Sequence, residues 1–179
     1  MKQTAVEPRT GPAPTEPSWL SDDEQKHWRA FLYSTQRLLD TIDHDLLTEF
    51  GLPHGYYEIF VRLSEAPERS MRMSELADAT RSSRSRLSHA VARLEEQGWV
   101  ERVECDTDRR GQVAHLTDGG MALLQRAAPH HVQAVRRYLL DPLTPEQFAT
   151  LGQIGAVIWD NLAAQADGDR PVGARTSTR

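Results

Sequence analysis

The chain has 179 residues with a formal net charge of −5, 39% hydrophobic and 26% charged residues, which suits one ordinary domain of a soluble globular protein. No run is long and apolar enough to span a membrane, and the N-terminus lacks the apolar stretch of a signal peptide, so a cytoplasmic chain is expected. A single cysteine, Cys105, excludes an internal disulfide framework.

Residues 1–18 carry Pro8, Pro12, Pro14 and Pro17 with few apolar anchors and read as a disordered arm. A long helix is expected from Ser21, where Ser21 and Glu24 have the spacing of a capping box. Its apolar positions, from Trp28 and Phe31 to Leu46 and Phe50, keep helical periodicity over roughly 30 residues, or about 45 Å. That is longer than a small domain needs for its own core. Gly51 stops it, and Pro53 starts a second helix, Pro53–Ser64, carrying Tyr56, Tyr57, Ile59, Phe60 and Leu63.

Ala66–Arg69 breaks the pattern. Ser74 is expected to cap a short helix, Glu75–Ala79, and Thr80–Ser83 to connect it tightly to a helix within Arg81–Gln97, stopped by Gly98. Trp99–Glu104 alternates like a strand, Asp106–Gly111 is a turn cluster, and Gln112–Leu116 is a second short strand. Helix, turn, helix and hairpin in this order form the winged-helix layout. Thr117 then caps a helix with Leu116 and Met121 as its hydrophobic staple; it runs to about Leu140, with a kink or break expected at Pro129. Thr144, Pro145 and Gln147 start a final helix with Leu143 and Phe148 as staple and Leu151, Ile154, Ile158 and Leu162 as its stripe, to about Ala164. The remaining residues, 166–179, read as a disordered tail.

Local chemistry contradicts the acidic total. From Arg81 to Arg93 there are four arginines and no acid. On a helical projection Leu87, Ala90, Val91 and Leu94 face one side, and Ser82, Ser85, His89 and Ala92, flanked by Arg86, Ser88 and Arg93, face the other; Arg84 is a further candidate for DNA contact. Small residues let a helix approach base edges, and Arg and His donate to phosphates and base acceptors. The same composition also describes a solvated helix face. A turn carrying Asp108, Arg109 and Arg110 strengthens the DNA reading, because arginines on a projecting hairpin suit a minor groove. Arginine outnumbers lysine heavily, which fits phosphate and guanine recognition and equally a GC-rich genome.

The run from Arg72 to Leu116 and on through Thr117-Asp118-Gly119-Gly120 resembles the multiple-antibiotic-resistance repressor (MarR) family, with Asp-Arg-Arg-Gly followed by Leu-Thr-x-x-Gly as the most specific signature. The resemblance extends over roughly Trp19–Ala164. It implies a mainly α fold (α+β with a small β-hairpin wing): a winged helix-turn-helix domain at 51–117 and a helical dimerisation domain formed by residues 19–50 and 118–165. It further implies a homodimer on a pseudo-palindromic double-stranded operator with half-sites about one turn apart. Asp108 would brace the wing, Arg110 would enter the minor groove, and Arg93 would join that network. A small aromatic or anionic effector between dimer helices and reading head is also implied, with Trp28, His44, Tyr56 and Tyr57 as candidates; Trp28 and one tyrosine equally suit plain packing.

No metal site is expected, since the adjacent His130 and His131 diverge on a helix and no compact ligand spacing emerges. Cys105 has no visible resolving partner and reads as an inert residue at the base of the wing. No G-x-S-x-G elbow, P-loop, H-E-x-x-H or dinucleotide fingerprint is present, so neither an enzyme nor a cofactor is expected. Gly152 and Gly155 fall inside a helical stripe, where they permit close helix packing. The alternatives are a winged-helix protein-interaction module and a metal or redox sensor of the same fold.

Overall fold

The computed structural model describes the backbone of residues 18–105 and 108–168 and the side chains of 18–103 and 112–165. The expected arm (1–17 of it), the turn residues 106–107 and the tail beyond 168 lie outside the described residues. The elements run α1 (Asp22–Phe50), α2 (His54–Glu65), a 3-10 turn (Pro67–Arg69), β1 (Ser70–Arg72), α3 (Met73–Ala79), α4 (Arg84–Glu96), β2 (Val100–Cys105), β3 (Asp108–Leu116), α5 (Asp118–Val135), a π turn (Arg136–Leu140) and α6 (Pro145–Gly168). The fold is mainly α with one small sheet. The chain divides into two compact units, Met1–Arg37 and Leu38–Arg179, so the boundary falls within α1.

In the first unit the capping box forms. The Ser21 N–H donates to Glu24 Oε2 at 2.8 Å and the Glu24 N–H to Ser21 Oγ at 3.4 Å. Those hydrogen bonds hold the Glu24 carboxyl below its usual range. Trp19, Leu20, Trp28, Phe31 and Tyr33 of this unit are all exposed.

The second unit carries the core. Gly51, in the left-handed region at φ 64, ends α1 with its N–H on the Leu47 carbonyl. Pro53 occupies the N-cap of α2, and its missing side-chain cap is supplied from α1: Asp43 Oδ1 accepts the His54 N–H at 2.7 Å. Leu52, Phe60, Leu63, Leu76, Leu87, Val91, Leu94, Val100 and Leu116 are almost completely buried together. The first helix thus hands its last turns to the same cluster, through Ile42 and Leu46.

The sheet order is β1-β3-β2, all antiparallel. β1 is an element that local pattern does not reveal, because three residues become a strand only by pairing with β3 (Met71 opposite Ala114). That pairing also corrects the start of α3. The chain is held extended up to Arg72 and turns straight into helix, so Ser74 sits inside the first turn instead of capping it.

Gly120 shows why the Leu-Thr-x-x-Gly stretch takes its form. Thr117 Oγ1 accepts the Gly120 N–H at 3.1 Å and contacts the carbonyl oxygens of Gly98 (2.8 Å) and Trp99 (3.1 Å). The start of α5 is thereby pressed onto the entry to β2, and a Cβ at Gly120 would collide with the Trp99 carbonyl. Further along, α5 continues through Pro129, so of the kink or break expected there the break does not occur. Pro129 is exposed, as is Gln125, whose carbonyl loses its helical donor, so water can serve it. The irregularity comes later, in the π turn, where the Asp141 N–H reaches back to the Arg136 carbonyl at 2.8 Å.

Three residues begin α6. The Thr144 N–H donates to Gln147 Oε1 at 2.9 Å, the Gln147 N–H to Thr144 Oγ1 at 3.2 Å, and Pro145 holds the first helical position. The helix runs about four residues past its expected end, to Gly168. Every described residue of it is exposed, including Ile154 (50%) and Leu162 (56%).

Candidate nucleic-acid interface

Ser83 is the residue that starts α4. Its Oγ accepts the Arg86 N–H at 3.2 Å, and its backbone is extended, so the helix begins at Arg84 and not at Arg81. Arg81 instead sits in the turn at φ 52, a left-handed conformation that costs a side-chain-bearing residue energy. Its guanidinium lies 3.9 Å from the centroid of the Trp159 ring on α6. Ser82 is likewise a turn residue, half-buried, with its N–H on the Ala77 carbonyl, so it does not share the outer helix face assigned to it.

Leu87, Val91 and Leu94 are buried in the core, and Ala90 packs against it. The opposite face therefore points outward: Arg84, Ser85, Arg86, Ser88, His89 and Arg93 are all exposed. A rigid helix on its own core thus presents three arginines, a histidine and two hydroxyls, the donor set that phosphate oxygens and major-groove base acceptors require. A groove of about 190 Å³ runs beside it, lined by Met73, Ser74, Arg84, Ser88 and Gln112. The start of α3, α4 and strand β3 meet there. Met73, Ser74 and Gln112 escape a reading based on α4 periodicity, because only the strand pairing brings them alongside.

The hairpin differs from the expected strand–turn–strand. β3 begins at Asp108, opposite Cys105, with an irregularity in register between Glu104 and Cys105. The backbone of Asp108, Arg109 and Arg110 therefore belongs to strand β3 and not to a turn. The expected side-chain roles of Cys105, Asp108, Arg109 and Arg110 lie outside the described residues.

Another contact joins wing to helix. Arg102 of β2 donates through a terminal guanidinium nitrogen to the Ser88 carbonyl at 2.9 Å, and its backbone N–H donates to Glu95 Oε1 at 3.0 Å. Its Nε stands 3.3 Å from Glu95 Oε2, close enough for an ion pair though not angled as a hydrogen bond. The sequence does hold a signal for this: Arg102 shares the strand face of buried Val100, a position where a charge needs a partner.

The effector candidates fall in both units. Trp28 belongs to the first unit and lines an open cleft there with Trp19, Leu20 and Leu32. His44 is exposed, Tyr56 is half-buried against the core, and Tyr57 is buried with its ring 4.4 Å from that of His131. Burial raises the Tyr57 hydroxyl above its usual range. A cavity of about 150 Å³ opens elsewhere, between the second half of α1 and the α5 end, lined by Asp45, Glu49, His130, His131, Arg137 and Tyr138 among others. Two contacts cross it: His130 Nδ1 to Glu49 at 2.7 Å, and the Tyr138 hydroxyl to Asp45 at 2.9 Å. The latter bond pushes the Tyr138 hydroxyl up. Burial first, and the neighbouring His54 second, hold His131 below the ordinary 6.5. Among the described residues no group of three His, Cys, Asp or Glu is placed to hold a metal, and no helix is long and apolar enough to cross a membrane.

Three helices, a three-stranded antiparallel sheet and a helix whose polar face is turned outward define a winged helix-turn-helix protein. The MarR family model matches residues 50–111. The chain is similar to Sco3205, a MarR family transcriptional regulator from Streptomyces coelicolor solved in complex with DNA, at 46% identity, covering 90% of this chain and 97% of that one with a TM-score of 0.78. It is similar also to AbsC, a MarR family regulator from the same organism, at 42% identity over 83% of this chain and 99% of that one, TM-score 0.79. Transcriptional repressor MprA of Escherichia coli (strain K12) is 30% identical over 101 residues, 56% of this chain and 57% of that protein. The chain spans about half the length of the curated relatives it matches. It belongs to the MarR family of transcriptional regulators.

Proposed function

We propose that the protein is a sequence-specific double-stranded DNA-binding transcriptional regulator, a ligand-responsive repressor that acts as a homodimer on a pseudo-palindromic operator in the cytoplasm and performs no catalytic step. The observation that carries this reading is α4: exposed Arg84, Ser85, Arg86, Ser88, His89 and Arg93 on a helix whose other face is locked into the core by Leu87, Val91 and Leu94. Residues 51–117 form the reading head, α4 enters the major groove, and Arg109 and Arg110 on the wing leg approach the minor groove with Asp108 as their brace. The exposed apolar stripe of α6 and the exposed aromatic residues of the first unit supply the dimer surface, with residues 19–50 and 118–165 as its helices. Similarity over nearly the whole length of a regulator solved with DNA supports the same assignment. Trp28, His44, Tyr56 and Tyr57 are the contacts proposed for a small aromatic or anionic effector, whose binding is linked reciprocally to that of DNA.

Fluorescence anisotropy with fragments of the gene's own upstream DNA tests the reading. One fragment should bind far more tightly than the others, with an affinity that falls steeply as salt rises. Equal indifference to every fragment at low salt would rule the function out.

A further inference from the structure

We propose that Arg102 is a positioning residue that locks the wing to α4, so that helix and hairpin meet DNA as one rigid body. The proposal rests on the DNA-reading assignment of these two elements. Arg102 holds α4 at two points: its guanidinium at the Ser88 carbonyl, in the middle of the exposed face, and its backbone N–H and Nε at the Glu95 carboxylate. Ser88 and Glu95 are seven residues apart, so the two holds span roughly two turns and fix both the tilt and the rotation of the helix against the strand.

The chemistry of each partner needs the other. Glu95 lies in the last turn of α4, where the negative pole of the helix dipole disfavours a carboxylate. Arg102 stands on the inward face of β2, where an unpaired guanidinium is costly. The side chains are 24% and 31% exposed, so the pair is shielded from much of the solvent that weakens surface ion pairs. Further out on β2, Val103 is 47% exposed and gives the hairpin no apolar seat. Among the described side chains of β2 beyond buried Val100, Arg102 is thus the one that ties the wing to α4.

A residue that positions and a residue that touches phosphate predict opposite signs. If Arg102 contacts DNA directly, removing Glu95 takes a negative charge away from the phosphates, and binding tightens. If the pair positions the wing, removing either partner weakens binding. The experiment enriches a duplex from a random-sequence pool with the wild-type protein, then measures its affinity for Arg102→Ala, Arg102→Lys and Glu95→Ala across a salt series. Amide hydrogen exchange of the DNA-free proteins accompanies it.

All three variants are expected to bind roughly tenfold more weakly. The slope of log affinity against log salt should stay at the wild-type value, since no phosphate contact is lost, and the amides of β2 and β3 should exchange faster while those of α2 and α5 do not. Lysine keeps the charge but cannot span Ser88 and Glu95 with a planar fork, so it should not rescue. Tighter binding by Glu95→Ala, a slope flatter by about 0.9 for Arg102→Ala, unchanged affinities, or unchanged exchange in the hairpin would each overturn the proposal. Should Arg102→Ala fail to fold, the lysine and Glu95 variants give the same decision. A wild-type protein that enriches no duplex would instead refute the DNA-reading assignment, and the exchange data would still decide the lock.

Discussion

Two amphipathic helices of similar apolar content meet opposite fates. In α2, Tyr57, Ile59, Phe60 and Leu63 are buried by α1, α3, the sheet and α5. In α6, Phe148, Leu151, Ile154, Ile158, Trp159 and Leu162 stay 38–56% exposed, and no described residue is buried. An apolar stripe left in water is destabilising by about 25 cal/mol for each Å² that a partner would cover. The core is therefore complete within one chain, whereas the apolar stripe of α6 is the surface proposed to meet a second copy. The contrast separates what keeps the fold from what assembles it.

The largest effect should come from the finished half. Phe60→Ala should cost about 3–5 kcal/mol in chemical denaturation, at any protein concentration, because the cavity lies inside one chain. Gly120→Ala should also be severe, since its Cβ would strike the Trp99 carbonyl where the chain has no room to yield. Next come changes on α6. Ile154→Asp should leave far-ultraviolet circular dichroism of the reading head intact yet shift sedimentation from dimer toward monomer, weakening self-association roughly tenfold or more. A monomeric wild type, or a variant that unfolds without dissociating, would erase the contrast between the helices.

Smaller effects test the seams. Thr117→Ala removes the acceptor for the Gly120 N–H and should cost about 1 kcal/mol in thermal melts. His131 should give a pH signature. Burial and His54 hold it below 6.5 in the folded chain, so the folded state binds fewer protons than the unfolded one. Its contribution is complete above that value and is lost as pH falls through the lowered one. His131→Leu should flatten the acid side of the melting profile, and an unchanged slope would remove His131 from this account.

Caps and stops were legible because they are local: Ser21 with Glu24, Thr117, Thr144 with Gln147, and the left-handed Gly51 and Gly98 all act within a few residues. The buried stripe of α4 was legible for the same reason, as a period of 3.6. What escaped depends on contacts across the chain. β1 exists through β3, the early start of α3 follows from β1, and the lengthened first leg of β3 reflects pairing with β2. Arg102 escaped because its partners stand seven and fourteen residues away in sequence on another element. Ser82 was misplaced because Ser83, one residue on, is the better placed cap.

The central claim is that the exposed face of α4 contacts DNA, and Arg86→Ala tests it most directly. Arg86 is exposed in the first turn of α4 and lies outside the packed core. Measured by fluorescence anisotropy on the preferred duplex across a salt series, the variant should bind more weakly by about 1–3 kcal/mol or show a salt slope flatter by about 0.9. Wild-type affinity with a wild-type slope, repeated for Arg84→Ala and Arg93→Ala, would contradict it.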